Sequence, residues 1–164
     1  MSTAGTIRLA YSGVSLTFEA DRYLSAGQPR SDLFLHNYDF SNTGNLVEDG
    51  RSFQYSDGSP FRRQVWNFSV ALYDTEWETL DDLWNLQYTT RPTPEIKLHD
   101  YTSYMKEATR TRALATGASA STVNGLVRYY GQFNTVFIQR PTFERNRGIY
   151  SATLQLQESS LTTP

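Results

Sequence analysis

Between residues 62 and 101 the chain changes its hydrophobic period abruptly, and few folds accommodate that. Trp66, Phe68, Val70 and Leu72 alternate with Asn67, Ser69, Ala71 and Tyr73. A period of two is that of a strand with one buried face. Directly afterwards Trp77, Leu80, Leu83, Trp84 and Tyr88 recur at helical spacing and make one apolar stripe. Thr75 stands where it can cap that helix and Glu78 where it can reach back, which is the capping-box pattern. Asp74, Glu76 and Glu78 lie at the helix's positive end, which favours carboxylates. A Pro-containing turn follows, and Ile96 and Leu98 then open a return strand. The pattern encodes a strand, a sharp turn, a helix of about three to four turns, and a second strand.

On either side the signals are mostly those of strands. Residues 7–11 and 14–18 alternate around Ser12-Gly13, either as a hairpin or as one bulged strand. Residues 20–31 carry Gly27 and Pro29 and read as a loop. Residues 33–38 are a short strand candidate, and turn signals around 40–60, with Phe53 and Tyr55 before Asp57-Gly58, suggest a hairpin excursion. Residues 105–122 read as an extended loop or a short helix, ending in a small, polar Thr116–Thr122 stretch. Residues 126–139 and 149–157 supply the closing strands. Pro141 and Asn146-Arg-Gly148 lie in the connection between them, and residues 159–164 are expected to fray. The fold class expected is mainly β with one packed α-helix, an α+β chain of 164 residues in one domain.

Composition narrows the function classes. With 15 basic and 17 acidic residues the chain has no strong field to draw nucleic acid or membrane. It has no cysteine, which fits a reducing cytoplasm, and residues 1–11 are broken by Ser2, Thr3, Gly5 and Arg8 instead of forming a signal peptide's apolar run. No stretch approaches the roughly 20 apolar residues of a membrane span. The 11 Tyr, 9 Phe and 3 Trp sit among Ser, Thr, Asn and Gln, a setting that favours sheet. Tyr also serves where surface becomes interface, since it offers apolar area and a hydroxyl together.

Chemistry is hard to assemble from these residues. The two histidines, His36 and His99, fall on separate candidate strands, and His99 and Asp100, as strand neighbours, point to opposite faces. Glu76/Glu78 and Asp81/Asp82 are explained by helix capping and a solvated face, and need no cleft. No nucleophile elbow or phosphate loop is present. Lys106, Arg110 and Arg112 form one loose basic group, and Arg140, Arg145 and Arg147 another. Solvated charge is the default for both, ahead of a partner's acidic groups or passing DNA. No catalytic residue, cofactor-binding residue or metal ligand is assigned.

The segment from Trp66 to Leu72, the Thr75-Glu-Trp-Glu78 helix start, Leu80 to Leu83, and Ile96-Lys-Leu98 together resemble the core unit of bacteriophage tail proteins with the tail-tube-like fold. Tyr129-Tyr-Gly-Gln-Phe133 and residues 149–158 resemble the closing strands of such domains. The resemblance covers about residues 62–158 and rests on patterns, with no fixed catalytic signature. It implies an antiparallel β-sandwich or barrel with one helix, and a non-enzymatic virion protein in the tail tube, at its distal end or at the baseplate hub. It also implies a homo-oligomeric, hexameric ring around a channel that DNA passes through. Neighbouring tube or baseplate proteins would be its partners, with assembly in the host cytoplasm and no membrane contact. Residues 105–122 are the expected inter-subunit or inter-ring contact. The rival binding reading is a carbohydrate-binding β-sandwich module that uses Trp66, Trp77 or Trp84; the rival enzyme reading is a small hydrolase resting on Glu78 or His99.

Overall fold

A computed structural model describes residues 4–25, 27–32 and 63–164. The strand candidate at 33–38, the excursion at 40–60 and His36 lie outside the described residues. The elements are β1 (Ile7–Tyr11), β2 (Val14–Phe18), a 3-10 turn (Ala20–Arg22), β3 (Arg30–Asp32), β4 (Gln64–Leu72), α1 (Asp74–Thr89), β5 (Ile96–Asp100) and β6 (Met105–Glu107). They continue with β7 (Ser121–Val123), β8 (Leu126–Tyr129), β9 (Gln132–Phe137), β10 (Thr142–Asn146) and β11 (Ile149–Ser160). Among the described residues the chain is mainly β, with one α-helix and antiparallel sheets, as the periodicities require.

The main sheet runs β2-β1-β5-β9-β11-β4-β3, with β10 also on β11, and a second sheet runs β6-β8-β7. In the main sheet β2 and β4 are five strand spacings apart, about 24 Å if the sheet were flat. Yet the Phe18 and Phe68 rings meet at 5.6 Å. The sheet is therefore rolled, with its apolar face inside. The chain leaving β2 crosses to β4, where Tyr23 bridges Val70 and the Leu24 N–H donates to the Ser69 carbonyl at 2.8 Å.

Alternation decides what faces inward. Trp66, Phe68, Val70 and Leu72 of β4 are buried, as are Ala152, Leu154 and Leu156 of β11 and Ile7 and Leu9 of β1. Helix α1 packs on β2, β4, β9 and β11, with Leu80 and Leu83 fully buried. The third inward position of its stripe is Gln87, not Tyr88, which is exposed. Gln87 Oε1 accepts the Phe137 N–H at 2.7 Å and its Nε2 donates to the Pro94 carbonyl at 3.0 Å, so a polar side chain closes the end of β9. The helix also begins earlier than expected. Tyr73 is its N-cap, and Glu76, not Glu78, reaches back to accept the Tyr73 N–H at 3.0 Å.

Turn chemistry fixes the hairpins. Ser12-Gly13, Asn124-Gly125 and Arg147-Gly148 all have positive φ, the two-residue turn whose twist matches antiparallel strands. The first makes residues 7–18 a hairpin and not one bulged strand. The second corrects the short-helix alternative for residues 105–122. Met105–Glu107 is a strand, and Ser121–Val123 pairs with Leu126–Tyr129 across Asn124-Gly125. The 126–139 strand is likewise divided at Tyr130-Gly131, where β8 leaves for the second sheet and β9 stays in the main one. The chain end is tied down at residue 162. The Thr162 hydroxyl accepts the Ala113 N–H at 2.9 Å and donates to the Gln132 carbonyl at 2.7 Å.

Candidate functional site

At one end of the roll the inward positions turn polar. Asp100 follows Ile96 and Leu98 on the same face of β5, Glu158 follows Leu154 and Leu156 on β11, and Gln64 precedes Trp66 on β4; all three are buried. Buried carboxylates need partners. Arg112, from the loop after β6, gives Glu158 two bonds, Nε to Oε2 at 2.7 Å and Nη2 to Oε1 at 3.0 Å. It also reaches Glu107 at 2.6 Å. The Gln64 N–H adds a donor to Glu158 at 3.1 Å. Asp100 receives the Trp66 indole N–H at 3.1 Å and the Thr102 N–H at 2.8 Å, with Arg30 Nη1 3.2 Å away. The Phe133 ring lies under both guanidinium groups, at 5.6 Å from Arg30 and 5.4 Å from Arg112.

Burial works against the Arg112 charge, but the bonds and charge of Glu158 outweigh it, so its pKa is raised. Burial lowers that of Arg30, against the pull of Asp100. For Glu107 burial pushes the pKa up, and the Tyr129 and Thr111 hydrogen bonds with the Arg112 charge bring it below the ordinary value. Asp100 and Glu158 have no solvent-exposed side-chain surface. This arrangement locks strands β4, β5, β9 and β11 to the loop at 108–118. The signal for its two acids lay in the sequence, as carboxylates in phase with apolar residues, whereas Arg112 in its loop carried none.

His99 is elsewhere, on the sheet's other face, where its Nδ1 accepts the Thr116 N–H at 3.3 Å. Burial, with the charges of Arg8 and Lys97, lowers its pKa from 6.5 to about 4. The unfolded chain therefore takes up a proton first as pH falls. Stability is lost between about pH 6.5 and 4, and no further below. We expect wild type to lose about 2 kcal/mol more than His99→Gln between pH 7 and 4.5, after discounting for solvent at that face. Urea midpoints at the two pH values check this, and equal losses would exclude His99 as the titrating group.

The carboxylate pairs on α1 are divided among other tasks. Glu76 caps the helix and pairs with Arg22 at 2.6 Å, Asp81 pairs with Arg140 at 3.0 Å, and Glu78 and Asp82 are exposed. The first basic group is not one surface: Arg112 is buried, whereas Lys106 is exposed. In the second group, Arg145 lies 6.0 Å over the Tyr150 ring and Arg147 forms the β10–β11 turn. The tryptophans are engaged in packing. Trp66 is fully buried, Trp77 meets Phe143 and Tyr150, and Trp84 meets Phe137 and Tyr88. Among the described residues no cluster of His, Cys, Asp and Glu could hold a metal, and no helix is long and apolar enough to cross a membrane.

What the fold presents outward is sheet edge. Among the described residues β2 pairs only with β1 and β10 only with β11. Strand β2 is five residues of Val, Ser, Leu, Thr and Phe, with no charge, proline or bulge in its register. The β7–β8 hairpin presents Val123 and Leu126 to solvent. No family model, curated protein or solved structure matches the chain.

Proposed function

We propose that this chain is a structural protein of a bacteriophage tail, forming a ring around the tail channel in the tube, at its distal end or at the baseplate hub. What supports the reading is the β4–α1–β5 unit whose residues resemble that family, set in a rolled antiparallel sheet in which, among the described residues, β2 pairs with β1 alone. The observation that carries it is the edge of β2. Proteins that stay monomeric blunt such edges with charge, proline or bulges, and β2 has none of these. A head-to-tail contact that closes on itself removes every such edge at once. In this reading six copies join through their sheet edges, and the β7–β8 hairpin with its exposed Val123 and Leu126 contacts the next subunit or ring. The function is then assembly, with no chemical step.

The register gives a clean test. Across the two-residue turn, Tyr11 and Val14 form the closing hydrogen-bonded pair, so Leu16 and Phe18 bond to β1 while Ser15 and Thr17 turn their N–H groups outward. Thr17→Pro removes one outward donor without touching the β1 ladder. The experiment is the mass and shape of the purified protein, by light scattering and negative-stain electron microscopy, for wild type and Thr17→Pro.

A further inference from the structure

Two pairs of like charges are left unanswered among the described residues, and the pairs are of opposite sign. On the second sheet Lys106 is the register partner of Arg128, and Arg128 of Ser121. Directly opposed strand residues share a face, with Cβ atoms about 5 Å apart, and like charges at that distance repel. Theirs is the outer face, since Met105 and Tyr129, of the other parity, are buried. Neither cation has a hydrogen bond or ion pair among the described residues, and the Arg128 Nε is buried without an acceptor. The acids of neighbouring strands are engaged elsewhere. Glu107 takes Arg112 at 2.6 Å and the Thr111 hydroxyl at 2.7 Å, and Asp32 takes Gln64 Nε2 at 2.7 Å.

The acidic pair is on α1. Glu78 and Asp82 are exposed and one helical turn apart, their Cβ atoms about 5–6 Å from each other, where two carboxylates also repel. Both lie beyond the first turn, to which the stabilising effect of the helix's positive end is confined. The cations around the helix are engaged by other groups. Arg22 pairs with Glu76 at 2.6 Å, Arg140 with Asp81 at 3.0 Å, and Arg91 donates to the Tyr88 and Thr90 carbonyls at 2.8 and 2.9 Å. Within one copy the two pairs stay apart. Lys106 and Gln64 line one shallow hollow, so the second sheet lies at the start of β4, and α1 begins beyond the other end of that strand, about 26 Å away. Each pair alone is a small cost that a solvated surface can carry. Together they match in sign, number and spacing.

We propose that α1 of one copy docks on the outer face of the second sheet of the next, with Glu78 and Asp82 meeting Lys106 and Arg128. The occupant of each face is a second copy of this chain. The contact is head-to-tail, because it joins different surfaces of identical subunits. Val123 and Leu126, on the same outer face and 37% and 41% exposed, supply apolar area beside the charges. Charges in such a contact fix orientation and partner more than affinity. The inference rests on the reading that the chain works by self-assembly, and it adds a surface distinct from the β2 edge.

The test is charge reversal with rescue between variants, read by sedimentation velocity on the full chain at low ionic strength, where screening is weak. One variant carries Lys106→Glu with Arg128→Glu, the other Glu78→Lys with Asp82→Lys. Each alone should weaken self-association by about tenfold or more, because its two docking faces then carry the same sign. An equimolar mixture should recover the wild-type mass, since each helix then meets a sheet of opposite charge on the other variant. Lys106→Glu and Glu78→Lys, single changes at exposed positions, take the place of a double variant that melts early. Variants that associate as wild type does would overturn this contact and leave the edge reading standing, and so would weakened variants whose mixture stays dissociated. A wild type that is monomeric at every concentration would overturn both.

Discussion

Replacing Arg112 with alanine should destabilise the protein by about 3–5 kcal/mol, a large part of what a domain of this size possesses. The side chain is 2% exposed and supplies the two bonds to Glu158, whose own side chain is 0% exposed. It also supplies the 2.6 Å contact to Glu107. Removing the cation takes two bonds from Glu158 and, among the described residues, leaves it the Gln64 N–H at 3.1 Å and the more distant Arg63 charge. The cost is that of an uncompensated buried charge, and it exceeds the net worth of the ion pair itself. Taking two ions out of water offsets most of their attraction, so a well-packed apolar pair can do as well. The double change Arg112→Met with Glu158→Leu should therefore recover most of the loss. Urea unfolding at pH 7 measures all three proteins. A loss below about 1 kcal/mol in Arg112→Ala would mean that water reaches Glu158 in the native state.

Trp66→Ala should cost as much, about 3–5 kcal/mol, for a different reason. The indole is fully buried and sits edge-on to Phe133 at 4.8 Å between ring centroids. Its removal opens a cavity at the centre of the roll, where β4 faces β5 and β9. Trp66→Phe separates the two contributions. It keeps most of the apolar volume but deprives Asp100 of the indole N–H at 3.1 Å, for an expected loss of about 1–3 kcal/mol. The Trp66 and Arg112 sites share the Phe133 ring, so the combined variant should deviate from additivity by more than about 0.5 kcal/mol. Strict additivity in the urea midpoints would show that the ring does not couple them.

These two residues also mark how far the sequence could be read. Trp66 was legible because its whole strand alternates, and a period of two survives any tertiary context that buries one face. The same holds for β11 and for the Leu80 and Leu83 stripe of α1. Arg112 was not legible, because a loop residue carries no period, and its partner is 46 positions away in sequence. Asp100 and Glu158 stand in phase with leucines, a signal that a last strand ending at residue 157 passes over, and the cations that answer them come from a three-residue strand and a loop. Gln87 displaced Tyr88 from the inner face because amide hydrogen bonds at a strand end can outweigh the burial of an aromatic ring. The β7–β8 hairpin of the second sheet turns on one dipeptide, Asn124-Gly125, just after the 116–122 stretch whose small polar residues looked like linker. Residues 159–162 looked frayed by composition and are held by β11 pairing through Ser160, by the Ser159 and Ser160 hydroxyls on Glu95, and by the Thr162 hydroxyl.

The central claim is that this protein works by assembling through its sheet edges, and imaging the purified protein tests it most directly. Light scattering should give a mass near six times 18.7 kDa, or larger for stacked rings. Negative-stain fields should show particles with a central hole; extended tubes would place the protein in the tail tube, and single rings at its distal end or hub. Thr17→Pro should run as a folded monomer with an unchanged far-ultraviolet spectrum. Wild type that remains monomeric at every concentration tested, with the same mass as Thr17→Pro, would contradict the account.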